Sequence, residues 1–122
     1  MTYPKNNHQH YHAHVYFDAT TLDRARALCE EAHRRFGVSM GRVHEKCVGP
    51  HPRWSCQLAA TPAEFADLLP WLALNRGGLV VFAHPITGDS LSAQLADHRD
   101  HGIWLGAGLD MNLSQFEPPK AP

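Results

Sequence analysis

Polar and apolar positions alternate strictly through residues 11–18, and that stretch organises the chain. Alternation in a segment rich in aromatic and β-branched residues predicts a strand, because successive side chains of extended backbone point to opposite faces. One face carries Tyr11, Ala13, Val15 and Phe17, an apolar surface suited to a core. The other carries His12, His14 and Tyr16, groups that bind metals, move protons or hydrogen-bond a phenolic ligand.

The period then changes. From Leu22 to Phe36 the apolar residues Leu22, Ala25, Leu28, Cys29, Ala32 and Phe36 recur at spacings of three and four, the stripe of an amphipathic helix. Thr20 and Thr21 offer a start and Gly37 a stop, and His33 falls on the solvated face. Residues 39–48 and 53–60 read as two strands of a hairpin whose loop holds Gly49, Pro50, His51 and Pro52. Arg42, His44 and Lys46 share one face of the first. Ser55 and Gln57 share the less apolar face of the second, against Trp54, Cys56 and Leu58. All three strands therefore predict a sheet with one oily and one polar, histidine-bearing face.

Thr61, Pro62 and Glu64 form a capping-box start for a second helix, which runs to about Asn75 and ends at Arg76, Gly77 and Gly78. Pro70 lies inside it and is expected to kink or split it. Residues 79–83 make a wholly apolar strand ending at His84 and Pro85. Beyond lie a turn at 86–89, a short helix at 90–98 and a short strand at 102–105. Residues 1–116 read as a single domain, and the proline-rich stretch 117–122 as a disordered tail.

The order βαββαβ, two right-handed crossovers flanking a hairpin, predicts a ferredoxin-like α+β sandwich with an antiparallel sheet in the order 4-1-3-2. The first strand is central there, and its start lies beside the end of the fourth. His84 is thereby placed next to His12 and His14 although it is far away in sequence. Helices cover only one sheet face in this topology. Either a second subunit or the segment after His84 must cover the other, and a homodimer is expected.

Composition narrows the function. A chain of 122 residues suits one domain with a real core, and 11 basic against 12 acidic residues, without a basic run, favour neither nucleic acid nor an anionic membrane. Three cysteines without a C-x-x-C pair point to reduced thiols. No apolar run approaches the roughly 20 residues of a membrane span, and the polar start is unlike a signal peptide. A cytoplasmic protein without a membrane partner is expected. Ten histidines are more than such a chain needs for structure. Two imidazoles at i and i+2 of a strand lie roughly 6–7 Å apart at Cα, so both can reach one ion.

Several blocks together are more specific than any one of them. Residues 11–17, the Gly49, Pro50, His51, Pro52 loop, residues 71–79, His84 and Pro85 with Thr87, Gly88 and Asp89, and residues 97–106 resemble the DOPA 4,5-dioxygenase family of fungal and bacterial type. The resemblance extends from about Tyr11 to Gly108. It implies a ferredoxin-like fold and extradiol cleavage of a catechol ring, such as that of L-DOPA or caffeate, with O2 at a non-haem Fe(II). Cys47 departs from the pattern, which has proline ahead of the Gly49 loop.

An extradiol site needs three protein ligands on one side of the ion, commonly two His and one carboxylate, and a neighbouring His to take and return the catechol proton. His12, His14 and His84 are the expected ligands. The carboxylate is open among Glu45, Asp89, Asp97 and Asp100, and an all-histidine set is the alternative. His98 and His101, three apart, would share one face of a helix, and the family block favours His101 as acid/base with His98 in support. His51, Arg53, His44 and Tyr16 are candidates for binding the substrate, with Arg53, Arg42 or Lys46 able to receive a carboxylate. His51 is expected at the far end of the first strand from His84.

Two other classes fit the same residues. One is a non-enzymatic dimeric module that binds a small aromatic ligand on the open face. The other is a hydrolase with Zn2+ in the histidine cluster, since imidazole suits zinc as well as iron.

Overall fold

The computed structural model describes residues 2–3 and 7–118, so the last part of the expected disordered tail lies outside the described residues. Five strands and three helices follow in the order β1 (Tyr11–Phe17), α1 (Leu22–Phe36), β2 (Ser39–His44), β3 (Trp54–Ala60), α2 (Pro62–Asn75), β4 (Val81–Pro85), α3 (Leu91–Arg99) and β5 (Ile103–Leu105). A 3-10 turn, Ser114–Phe116, follows. The sheet runs β2-β3-β1-β4-β5 with every pairing antiparallel, which is the expected 4-1-3-2 order with β5 added outside β4. The architecture is a ferredoxin-like α+β sandwich.

The alternation of β1 works as its sequence implies. Ala13, Val15 and Phe17 are buried with Cys29 and Ala32 of α1, Leu68 and Leu72 of α2, and Leu58, Val81 and Ala83 of the flanking strands. Tyr11 stacks on Phe65 of α2 at 4.0 Å between ring centres. Helix α2 starts on the expected capping box, with the Glu64 N–H donating to Thr61 Oγ1 and the Thr61 N–H to Glu64 Oε1. Of the kink or split expected at Pro70, the split does not occur, since the helix is continuous from Pro62 to Asn75: a proline there removes one intrahelical bond, and the packing of Phe65, Leu68 and Leu72 carries the helix across it. The three cysteines are free thiols. No described helix is long and apolar enough to cross a membrane.

Two departures from the sequence reading shape the site. Strand β2 stops at His44 rather than at residue 48, after a register shift between Met40 and Val43. The released connection folds over the polar face of the sheet: Gly49 takes φ +55°, the His51 N–H donates to the Val48 carbonyl, and the Asn112 N–H donates to the Pro50 carbonyl. Pro50 and His51 are buried as a result. Helix α3 and the 3-10 turn close the rest, with His98 stacked on Phe116 at 4.6 Å. That face, expected to be covered by a second subunit or by the segment after His84, carries α3 and the 3-10 turn, which both follow His84, together with the connection between β2 and β3.

Candidate metal centre

His12 and His84 are direct cross-strand partners on the central pair β1 and β4, and His14 sits one step along the same face. The topology thus joins residues that the sequence separates. One ring nitrogen from each of the three comes within 4.8 Å of the others, an arrangement that could hold a metal ion. His14 and His84 are buried, and His12 is half-buried.

The hydrogen bonds around His84 define its chemistry. Its Nδ1 lies 2.8 Å from the Pro85 carbonyl, which only accepts, so Nδ1 carries the proton. The neutral ring then presents a lone pair on Nε2, which faces His14 Nε2 at 3.2 Å. A carbonyl that fixes the tautomer of a ligating imidazole is the usual outer support of a metal site. Charge is disfavoured throughout: burial, aided by the neighbouring imidazoles, lowers His12 and His14, the latter well below the ordinary histidine range. Burial lowers His84 to about 3 against the pull of its Pro85 bond. Neutral imidazoles are the form that binds a cation, so the donor set fits a resident divalent metal.

No carboxylate joins the cluster among the described residues. Asp97 is buried nearby, but both oxygens are occupied: Oδ2 accepts the Thr87 N–H at 2.9 Å, and Oδ1 accepts the Thr87 hydroxyl at 2.7 Å and His101 Nδ1 at 3.0 Å. Burial alone would raise the pKa of Asp97, yet the bonds from Thr87 and His101 hold it below the usual carboxylate value. Asp100 is exposed and paired with Arg99, and Glu45 is exposed beyond the end of β2. Asp89 is exposed at the rim. Of the alternatives the sequence left open, the structure displays the all-histidine group.

The cluster opens into a cavity of about 420 Å3, the size of a small-molecule site. Its floor is the sheet, with His12, His14, Gln57 and His84, and its walls are Pro50, His51, Asp89, His98 and Phe116. His51, expected at a distance, is brought over the sheet, its ring 4.0 Å from that of His14 and its Nδ1 2.6 Å from the Tyr16 hydroxyl. Burial raises Tyr16, so the phenol stays protonated and donates. His51 Nδ1 accepts that bond, which puts the proton of the neutral ring on Nε2. Burial and nearby imidazoles lower His51 to about 4.

His98 and His101 part company. Helix α3 ends at Arg99, so the pair does not share a helix face. The His98 ring lies 4.2 Å from that of His84, and its Nδ1 donates to the Gln94 carbonyl, leaving Nε2 as the basic nitrogen. His101, expected as the acid/base, is outside the cavity lining, with its side chain about half exposed and tied to Asp97. Of the other expected substrate contacts, Tyr16 is buried behind His51, His44 lines an adjoining hollow with Ser55, and Arg53 is exposed and off the cavity wall. The sequence reading missed Gln94, Gln115 and Phe116 as wall residues. Gln57 carried a signal, since it alternates onto the polar face of β3.

The Dopa 4,5-dioxygenase family is matched over residues 11–115. The chain belongs to that family. It is similar to an uncharacterised 21.2 kDa protein of Botryotinia fuckeliana, 38% identical over 95 residues, covering 74% of this chain and 52% of the relative. It is also similar to the DOPA 4,5-dioxygenase of Amanita muscaria, 29% identical over 115 residues, covering 87% of this chain and 49% of the relative. The chain thus spans about half the length of these curated relatives. A crystal structure from Nostoc punctiforme, of a protein provisionally assigned as a dioxygenase, superposes with a TM-score of 0.85 at 41% identity, over 94% of this chain and 96% of that one. The family member described here therefore keeps its histidine cluster inside a fold shared at high similarity.

Proposed function

We propose that the protein is a dioxygenase that opens a catechol ring beside its two hydroxyls, with Fe(II) held by His12, His14 and His84. The observation that carries this reading is a group of three neutral imidazoles on the floor of a 420 Å3 cavity, in a member of the Dopa 4,5-dioxygenase family. Fe(II), when bound, brings the two catechol oxygens and O2 to one centre and lets electrons pass from the ring to oxygen. One ring carbon–carbon bond breaks and both oxygen atoms enter the product, so no external reductant is needed.

The remaining chemistry belongs to the chain. His98 Nε2 takes a proton from a catechol hydroxyl and returns it to the ring-opened product, with the Gln94 carbonyl holding the ring in the tautomer that leaves this nitrogen basic. His51, locked by Tyr16, offers an Nε2 proton as a hydrogen-bond donor of fixed orientation. Acceptor and donor thus flank the floor on which the substrate oxygens would lie. Phe116 and Ile86 supply apolar wall against the aromatic ring and exclude water, while the amides of Gln57 and Gln115 orient polar substituents.

A three-histidine set is also a zinc set, which keeps the hydrolase reading as the competitor. The test is metal analysis of protein purified without chelator, then anaerobic Fe(II) loading and addition of oxygenated catechol. Oxygen uptake in step with a yellow ring-opened semialdehyde is expected. Iron-loaded protein that consumed no oxygen with any catechol would sink the dioxygenase reading.

A further inference from the structure

Resting on the catechol-cleaving reading, the charges around the cavity bear on which catechol it takes. Arg42, Lys46 and Arg53, the cations that could have received a substrate carboxylate, are exposed, and none lines the cavity. No arginine or lysine is among the described lining residues. The formal charges there are two carboxylates, Asp89 and Asp97, beside imidazoles and the amides of Gln57, Gln94 and Gln115.

The two carboxylates differ in availability. Asp97 is buried and consumed by Thr87 and His101, so it has little capacity left for a ligand. Asp89 sits at the rim where this cavity meets a neighbouring surface hollow that holds His101, and its carboxylate has no hydrogen bond or ion pair among the described residues. Only its backbone carbonyl is used, by the Gln94 amide. A substrate carboxylate entering here would lose hydration without gaining a cationic partner and would meet Asp89 as a like charge. An ammonium group would meet the reverse.

We infer that the cavity selects catechols whose tail is neutral or cationic, with Asp89 receiving an ammonium group, and discriminates against catechols whose only tail charge is a carboxylate.

Three probes that share the catechol head and differ in the tail test this: dopamine, 4-methylcatechol and 3,4-dihydroxyphenylacetate. Turnover by the iron-loaded protein is followed by oxygen uptake, and binding to the redox-inert zinc-loaded protein is followed by calorimetry under nitrogen. Dopamine should exceed 3,4-dihydroxyphenylacetate by about tenfold or more in kcat/KM and in affinity, with 4-methylcatechol between, as expected for a partly screened charge contact. The gap should narrow in high salt. Asp89→Asn should shrink it from both sides, weakening dopamine and favouring the acetate. An acetate that bound and turned over as well as dopamine would overturn the inference, as would an unchanged ratio in Asp89→Asn. If no probe consumed oxygen while the zinc protein kept the binding order, the dioxygenase reading would fall and the charge selection would stand.

Discussion

Tyr16→Phe removes one oxygen atom and tests the coupling between the core of the sheet and the cavity. The Tyr16 ring is 1% exposed and lies 6.2 Å from that of Trp104, and phenylalanine keeps that packing. What is lost is the 2.6 Å hydrogen bond to His51 Nδ1. Because His51 is also buried, its acceptor nitrogen is left without a donor, a defect that costs about 1–3 kcal/mol. Urea unfolding of the metal-free protein should show that loss as a lower midpoint with an unchanged slope, and thermal melting as a drop of roughly 3–6 °C per kcal/mol for a domain of this size. Nitrogen-15 chemical shifts of His51 should report a single tautomer, protonated on Nε2, in the parent and a mixture in the variant. Iron content should hold, because no ligand is touched, while kcat/KM falls as His51 loses its fixed donor. A variant that melted within a degree of the parent and kept the parent nitrogen shifts would refute the assignment of Tyr16 as donor.

Replacing His12, His14 or His84 with Ala should lower bound iron and oxygen uptake together, and a variant that retained iron in full would exclude that residue as a ligand. His98→Ala should keep its iron and lose roughly 10²–10⁴-fold in turnover, the range for a lost general acid or base, whereas His101→Ala should lose far less; the reverse order would restore His101 to that role. His51 and His84 hold folded values of about 4 and about 3, below the roughly 6.5 of an unfolded histidine, so the unfolded chain binds more protons between those limits. Stability of the metal-free protein should therefore be full above about pH 6.5 and fall as pH drops toward 4, and a flat urea midpoint across that window would contradict it. At Gly102 a Cβ would come 2.4 Å from the Phe82 ring, so Gly102→Ala should cost about 1–3 kcal/mol by urea unfolding, and a neutral result would show that the ring can move.

The cluster of three histidines was legible in the sequence because its members sit on paired strands. Period-2 alternation put His12 and His14 on one face, and the connection rules put β4 beside β1, which is enough to bring His84 to His12. The walls were not legible for an equally physical reason. The alternation of Arg42, His44 and Lys46 suggests a strand to residue 48, but β2 ends at His44, and the path of the connection over the sheet is decided by contacts distant in sequence, the Pro50 carbonyl with the Asn112 N–H and His51 with Tyr16. The same holds for His98 and His101: a spacing of three implies a shared face only while the helix continues, and α3 ends between them. At Pro70 core packing keeps α2 continuous where the local rule allowed a split.

The placement of the three clustered histidines on strands, and of most cavity walls on the segments around them, divides the molecule into a fixed workbench and exchangeable tooling. His12, His14 and His84 are located by backbone pairing at the centre of the sheet, so a change in one of the surrounding loops leaves their spacing intact. Pro50 and His51 lie in the connection between β2 and β3, Asp89 in that between β4 and α3, and Phe116 in the 3-10 turn after β5, and connections of this kind generally vary more readily than the strands they join. Descendants of such a scaffold can change what they admit without disturbing the spacing of the three histidines. Grafting the residue 45–53 or 86–90 segment from a relative should accordingly move substrate preference at constant iron content.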